Sequence, residues 1–122
     1  MVQQRQTGVR ALGGPVGLAV VRGRSMEPGL VAGDRLLVRY AAPVRPGDLV
    51  LARFPDGTLT VKRAVEQRTV RTGSTGWWLL SDNAAEGVDS RHRGAVAAHE
   101  VRAVVLARLW PRPRLLRRRT RS

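Results

Sequence analysis

Two side chains in this sequence have types and settings that suit chemistry, the hydroxyl of Ser25 and the amine of Lys62. Ser25 sits in Gly23-Arg24-Ser25-Met26-Glu27-Pro28-Gly29-Leu30. Taken alone, these eight residues read as a surface turn with an ordinary serine. A serine hydroxyl attacks an electrophile only when a neighbouring base takes its proton, and three residues offer one. His92 lies between Arg91 and Arg93, where a positive field disfavours an imidazolium, although a Ser25-His92-Asp89 triad stays open as an arrangement. His99 falls near a surface turn. As a metal pair the two histidines are weak, seven residues apart in a chain without cysteine.

Lys62 is the third candidate. It is the only lysine among 22 Lys+Arg residues, so a bias toward arginine explains every basic position but this one. An ordinary lysine, with a pKa of ~10.4, is protonated at neutral pH. Burial against apolar walls lowers that by up to ~3–5 units, a change that arginine cannot undergo. Val61, Val65 and the Trp77-Trp78 region are the expected source of that burial. The alternative is an exposed lysine lying along a strand.

The elements that must position these groups are short and extended. Leu18–Val21 leads into the serine turn and Asp34–Tyr40 leaves it, with Gly23 and Pro28 supplying special backbone angles between them. Leu49–Phe54 and Leu59–Val65 flank Pro55-Asp56-Gly57, a hairpin signal. Period-two alternation places Lys62 on one face with Thr60 and Ala64, and Arg63 breaks the apolar alternation of Leu59, Val61 and Val65. Glu66–Thr72 extends or pairs with that strand. Trp77–Leu80 is a further strand, Ser81–Arg91 a polar loop, Gly94–Ala97 a brief strand and Val101–Trp110 the last one. Strands broken by Gly/Pro turns at this spacing predict a mostly β, single-domain fold with a coiled, partly closed sheet.

Length and composition bound the rest. With 122 residues the chain has room for one modest core. The absence of cysteine excludes disulfides, thiolate zinc sites and cysteine nucleophiles. The most apolar N-terminal stretch, residues 11–21, is interrupted by glycines and Pro15 and falls short of the roughly twenty residues that span a membrane, so a cytoplasmic protein is expected. Residues 1–14 read as a flexible tail, 15–111 as the working domain, and Arg112–Ser122, with its run of arginines, as a basic disordered tail. A net charge of +13 suggests weak contact of that tail with an anionic membrane. With no aromatic stacking platform and no recognition helix, no specific nucleic acid is expected.

The ordered set Gly23-Arg24-Ser25-Met26-Glu27-Pro28, Gly33-Asp34, Val61-Lys62-Arg63, Asp82-Asn83, Asp89-Ser90-Arg91, Gly94 and Val96 resembles the type I signal peptidase family of Ser/Lys proteases over residues 18–111. The resemblance implies Ser25 as nucleophile, Lys62 as general base, an oxyanion and substrate region at Gly23, Met26 and Pro28, and structural support from Asp82, Asn83, Asp89, Ser90 and Arg91. It implies no metal and no cofactor. The chain is most similar to the short, soluble nickel-type superoxide dismutase maturation proteases, which implies removal of a short leader from a precursor of that dismutase. Three positions depart from the pattern. Gly23 stands where many members carry a hydroxyl, Ser81 replaces the first glycine of Gly-Asp-Asn, and Gly87 replaces a serine that orients the lysine, a role left open to Ser81 or Ser90. Alternatives are a membrane-surface signal peptidase, a self-cleaving regulator domain of the repressor type, a basic nucleic-acid-binding module and an inactive scaffold. Of these, residues 1–17 are too short to hold the DNA-reading module that a repressor requires.

Overall fold

A computed structural model describes residues 7–116. Nine strands lie in a single antiparallel sheet: β1 (Gly8–Gly13), β2 (Val16–Val20), β3 (Arg35–Tyr40), β4 (Leu49–Arg53), β5 (Leu59–Thr69), β6 (Thr75–Leu80), β7 (Val96–Ala97), β8 (Val101–Trp110) and β9 (Arg114–Leu115). Their order is β1-β2-β3-β8-β4-β5-β6-β7, with β9 added to β8. Helix among the described residues is confined to α1 (Ser90–Arg93) and a 3-10 turn at Ala98–Glu100. The fold is mostly β, as expected, and the sheet stays open.

The β4–β5 hairpin sets the register around the lysine. Asp56 Oδ1 accepts from Thr58 N at 2.9 Å and Gly57 turns the chain with φ +89°. That turn aligns Leu49 with Arg63 and Val50 with Lys62. Alternation along β4 then feeds two cores. Leu49 and Leu51 join Ala19, Val21, Met26, Leu30, Leu36, Val38 and Val61, whereas Val50 and Ala52 join Phe54, Ala64, Trp77, Leu79 and Val96. β8 does likewise, with Ala103 and Val105 in the first core and Val104 in the second. Strands buried on both faces carry near-continuous apolar runs, as Leu49–Ala52 does.

Strands reach into both expected tails. Residues 8–13 are a strand, paired with β2 from Gly8–Val20 to Gly13–Val16. Its side chains are all exposed, so the hydrophobic pattern carries no trace of a strand held by backbone hydrogen bonds. Thr7 N donates to Leu59 O at 2.8 Å. At the other end Arg114 and Leu115 pair with Arg108 and Ala107 of β8, and Leu116 N donates to Leu106 O at 3.0 Å. Residues 1–6 and 117–122 lie outside the described residues. β5 takes in Glu66–Thr69, with a register shift between Ala64 and Glu66. The polar loop after β6 contains a helical turn because the Asp89 carboxylate caps it by accepting from Arg91 N.

Candidate active site

The serine turn is a closed loop between β2 and β3. Val21 N donates to Asp34 O and Gly33 N to Val21 O, both at 2.9 Å, which draws its ends together. Met26 and Leu30 drop into the first core, 2% and 3% exposed, and hold the turn from beneath. The Asp34 carboxylate accepts from Val31 N at 3.0 Å and lies 3.5 Å from Arg108, whose guanidinium also donates to Gly29 O. This accounts for Gly33-Asp34 as a lock on the turn. Gly23 has φ +76°, in the left-handed region. Met26 is therefore a buried anchor and Pro28 an exposed residue after a cis peptide.

A second segment, following β6, holds the turn from the other side. Asn83 N donates to Ser25 O at 2.8 Å and Asn83 Nδ2 to Arg24 O at 3.2 Å. Asp82 N donates to Met26 Sδ. The Asp82 carboxylate takes both Nε and Nη2 of Arg63, at 3.2 and 2.7 Å, and Arg63 also donates to Gly47 O. The break in alternation at Arg63 thus has a structural cause: its guanidinium ties β5 to the loop that carries Asn83.

Lys62 is fully buried. Its face is the expected one, with Thr60 and Ala64 buried beside it and Val50 across the hairpin. The source of the burial is only partly as expected. Trp77 belongs to the second core with Val50 and Ala64. Trp78 is opposite Glu66 and lies against Arg68, 3.8 Å from its guanidinium carbon.

Three groups from distant parts of the chain meet at Gly87. A Cβ built on that residue would stand 2.8 Å from Ser25 Cβ, 3.2 Å from Lys62 Nζ and 3.6 Å from Ser81 Oγ. With φ +76° and Ser25 so near, position 87 is open to glycine alone without strain or displacement. Lys62 Nζ and Ser81 Oγ are buried and have no hydrogen-bond partner among the described residues. Desolvation lowers the Lys62 pKa from 10.5 to about 8; the Asp89 charge opposes that shift and the Arg91 charge adds to it. An amine with a pKa near 8 is neutral in an appreciable fraction of molecules at neutral pH, as a general base requires.

Asp89 organises the rim of this site. Its Oδ2 accepts from Ser81 N at 2.9 Å, its Oδ1 from Arg91 N at 3.0 Å, and the Arg91 guanidinium pairs with it at 2.9 Å. Desolvation would raise the Asp89 pKa, but these hydrogen bonds and the Arg91 charge outweigh it and hold the carboxyl below the ordinary value. Ser90 Oγ, buried, accepts from Leu79 N at 2.9 Å and so braces β6. His92 uses Nδ1 to accept from Asp89 N, completing a capping box at α1. His99 is exposed on the 3-10 turn beside Glu100. A cleft of about 1010 Å³ lined by Tyr40, Val44, Leu51, Leu59, Trp77 and Val101, among others, includes neither Ser25 nor Lys62 in its wall. Sequence reasoning missed Arg108, an ordinary arginine in a chain full of them, and gave Arg63, though part of the Val61-Lys62-Arg63 motif, no role of its own.

The family model described as Peptidase S24-like matches residues 6–103, a span that contains the serine turn, Lys62 and the loop around Asp89. The chain belongs to the Peptidase S24-like family. It is also 30% identical over 112 residues to mitochondrial inner membrane protease subunit 1 of Schizosaccharomyces pombe (strain 972 / ATCC 24843), an alignment covering 75% of this chain and 71% of that protein. The S24-like chain is thus a protease of the signal-peptidase kind. No helix among its described residues is long and apolar enough to cross a membrane.

Proposed function

We propose that this S24-like peptidase is a serine endopeptidase with a Ser25/Lys62 dyad that removes a short N-terminal leader from a precursor polypeptide. The observation that carries the reading is the approach of Ser25 Cβ and the buried, unpartnered Lys62 Nζ to one point beside Gly87. In the reaction, neutral Lys62 Nζ takes the Ser25 Oγ proton as the oxygen attacks the scissile carbonyl. The tetrahedral oxyanion is held by backbone N–H groups, including that of Ser25, since Gly23 offers no hydroxyl. The Lys62 ammonium then protonates the leaving amine, and an acyl-enzyme remains on Ser25. Lys62 next deprotonates a water, which attacks the ester and releases the second product, returning the proton to Ser25. Asp82, Asn83, Asp89, Ser90 and Arg91 hold the serine turn and the lysine in register.

By the resemblance of its motifs, the precursor is that of a nickel-type superoxide dismutase, whose new N-terminal histidine then helps bind nickel. The test incubates that precursor, and separately a signal-peptide substrate with and without anionic vesicles, with the wild-type protein, Ser25→Ala and Lys62→Met. Mass spectrometry of the products identifies the bond cut. The expected result is a single cut at the leader by wild type only. Cleavage by pure, folded Ser25→Ala would overturn the serine mechanism. Cleavage of the signal peptide alone, only on vesicles, would favour a membrane-surface signal peptidase, the reading to which the name of the yeast relative points.

A further inference from the structure

Ser81 and Lys62 both reach the space beside Gly87. β5 and β6 pair antiparallel with Arg63 opposite Leu80. One step further along the same register sets Lys62 opposite Ser81, just past the last paired residues. Side chains directly opposite in an antiparallel pair share a face and stand ~4.5–5.5 Å apart at Cβ. Both groups are buried, Lys62 at 0% and Ser81 at 7% exposure, and both polar ends lie within 4 Å of the same point beside Gly87. Neither has a partner among the described residues. The backbone of Ser81 is already fixed, since its N–H donates to Asp89 Oδ2, so only rotation of its hydroxyl is free. Ser90, the other serine in this segment, is committed to Leu79 N.

We infer that Ser81 is the positioning residue of the lysine, its hydroxyl accepting an N–H of Lys62 from β6 in place of a hydroxyl at position 87. A neutral amine has two N–H donors and one lone pair. Fixing one N–H on Ser81 Oγ turns the lone pair toward Ser25, and Gly87, without a side chain, leaves room for Ser25 Cβ. The inference rests on the Ser25/Lys62 reading.

Because Lys62 is the only lysine, lysine labelled with 15N at Nζ gives one side-chain resonance whose titration reports this amine directly. Ser81→Ala should lower kcat about 10–100-fold, part of what a positioned base contributes, with KM unchanged. Its Lys62 titration midpoint should fall by about 1 pH unit, because the ammonium loses an acceptor. Ser81→Thr, which keeps the hydroxyl, should restore both. If Ser81→Ala does not fold, Ser81→Gly is read in the same way. A folded variant with an unmoved midpoint, or with unchanged kcat, overturns the inference. An active Lys62→Met enzyme, or a wild-type Lys62 that titrates as an ordinary lysine, overturns the dyad itself and with it any role for Ser81. An inactive Lys62→Met with a depressed wild-type midpoint leaves the dyad standing and confines failure to Ser81.

Discussion

At the scale of single residues, Lys62 makes the folded state pH-dependent in an unusual direction. Its pKa is lowered on folding from 10.5 to about 8, so the unfolded chain binds this proton more tightly. The resulting penalty is absent above the unfolded pKa, grows as pH falls from about 10.5 to about 8, and is fully present below that. At about 1.4 kcal/mol for each pH unit of depression, it amounts to about 3 kcal/mol at neutral pH. Lys62→Met should therefore raise the melting temperature at pH 7, an advantage that shrinks above pH 10, while abolishing cleavage. Lys62→Arg should be inactive and less stable, since a permanent charge enters an apolar site. A normally stable, active Lys62→Arg enzyme would show that the base is elsewhere. Gly23 carries a second residue-scale expectation. Nothing would crowd a Cβ there, but φ is +76°, so Gly23→Ala and Gly23→Ser should each lose about 1–2 kcal/mol in denaturant unfolding. Any difference in kcat between the two isolates the hydroxyl near the oxyanion.

Among the elements, the segment between β6 and α1 matters most, because it reaches both catalytic candidates without being regular structure. Asn83 holds the backbone of Arg24 and Ser25, and Asp89 holds Ser81 and Arg91. Asp89→Asn keeps the shape but removes the charge that partly offsets the desolvation of Lys62. The Lys62 midpoint should fall below its wild-type value, moving the acid limb of the rate profile to lower pH. Stability should drop by about 1–3 kcal/mol as charge-assisted bonds are weakened. The lowered Asp89 pKa stabilises the fold above the unfolded carboxyl value, and this contribution is lost as pH falls through the folded one. The mutant should therefore be less sensitive to acid than wild type. An unmoved Lys62 midpoint in Asp89→Asn would mean that the carboxylate does not act on the amine.

For the molecule as a whole, the described residues after Pro111, 112–116, are tied to the sheet. β9 pairs with β8, Arg108 Nε donates to Arg112 O, and Leu116 packs against the first core. Truncation after Pro111 should cost about 1–3 kcal/mol, from a few hydrogen bonds and a partly buried leucine. Activity per folded molecule on a short peptide should remain near wild type, because the catalytic candidates lie on the serine turn, β5 and the loop after β6. Thermal melts and initial rates on the truncated protein check both parts. Loss of turnover with folding intact would bring β9 into the working site.

Alternation, turn residues and residue chemistry were enough to determine a mostly β chain, the hairpin at Pro55-Asp56-Gly57 and the long strand at Val101–Trp110, and to single out Ser25 and Lys62 as candidates. Those features are local, or concern residues whose chemistry is singular, as with one lysine among arginines. β1 and β9 were invisible because exposed side chains on backbone-bonded strands leave no hydrophobic period. The role of Arg63 was hidden because its partner Asp82 is brought near only by the pairing of β5 with β6. The same register decided between Ser81 and Ser90, which sequence left equal. Extending that register sets Ser81 across from Lys62, whereas Ser90 Oγ is taken by Leu79 N. Burial of Lys62 also belongs to the tertiary structure, since it needs the pairing that sets buried Val50 across the hairpin, and a strand by itself has no inside.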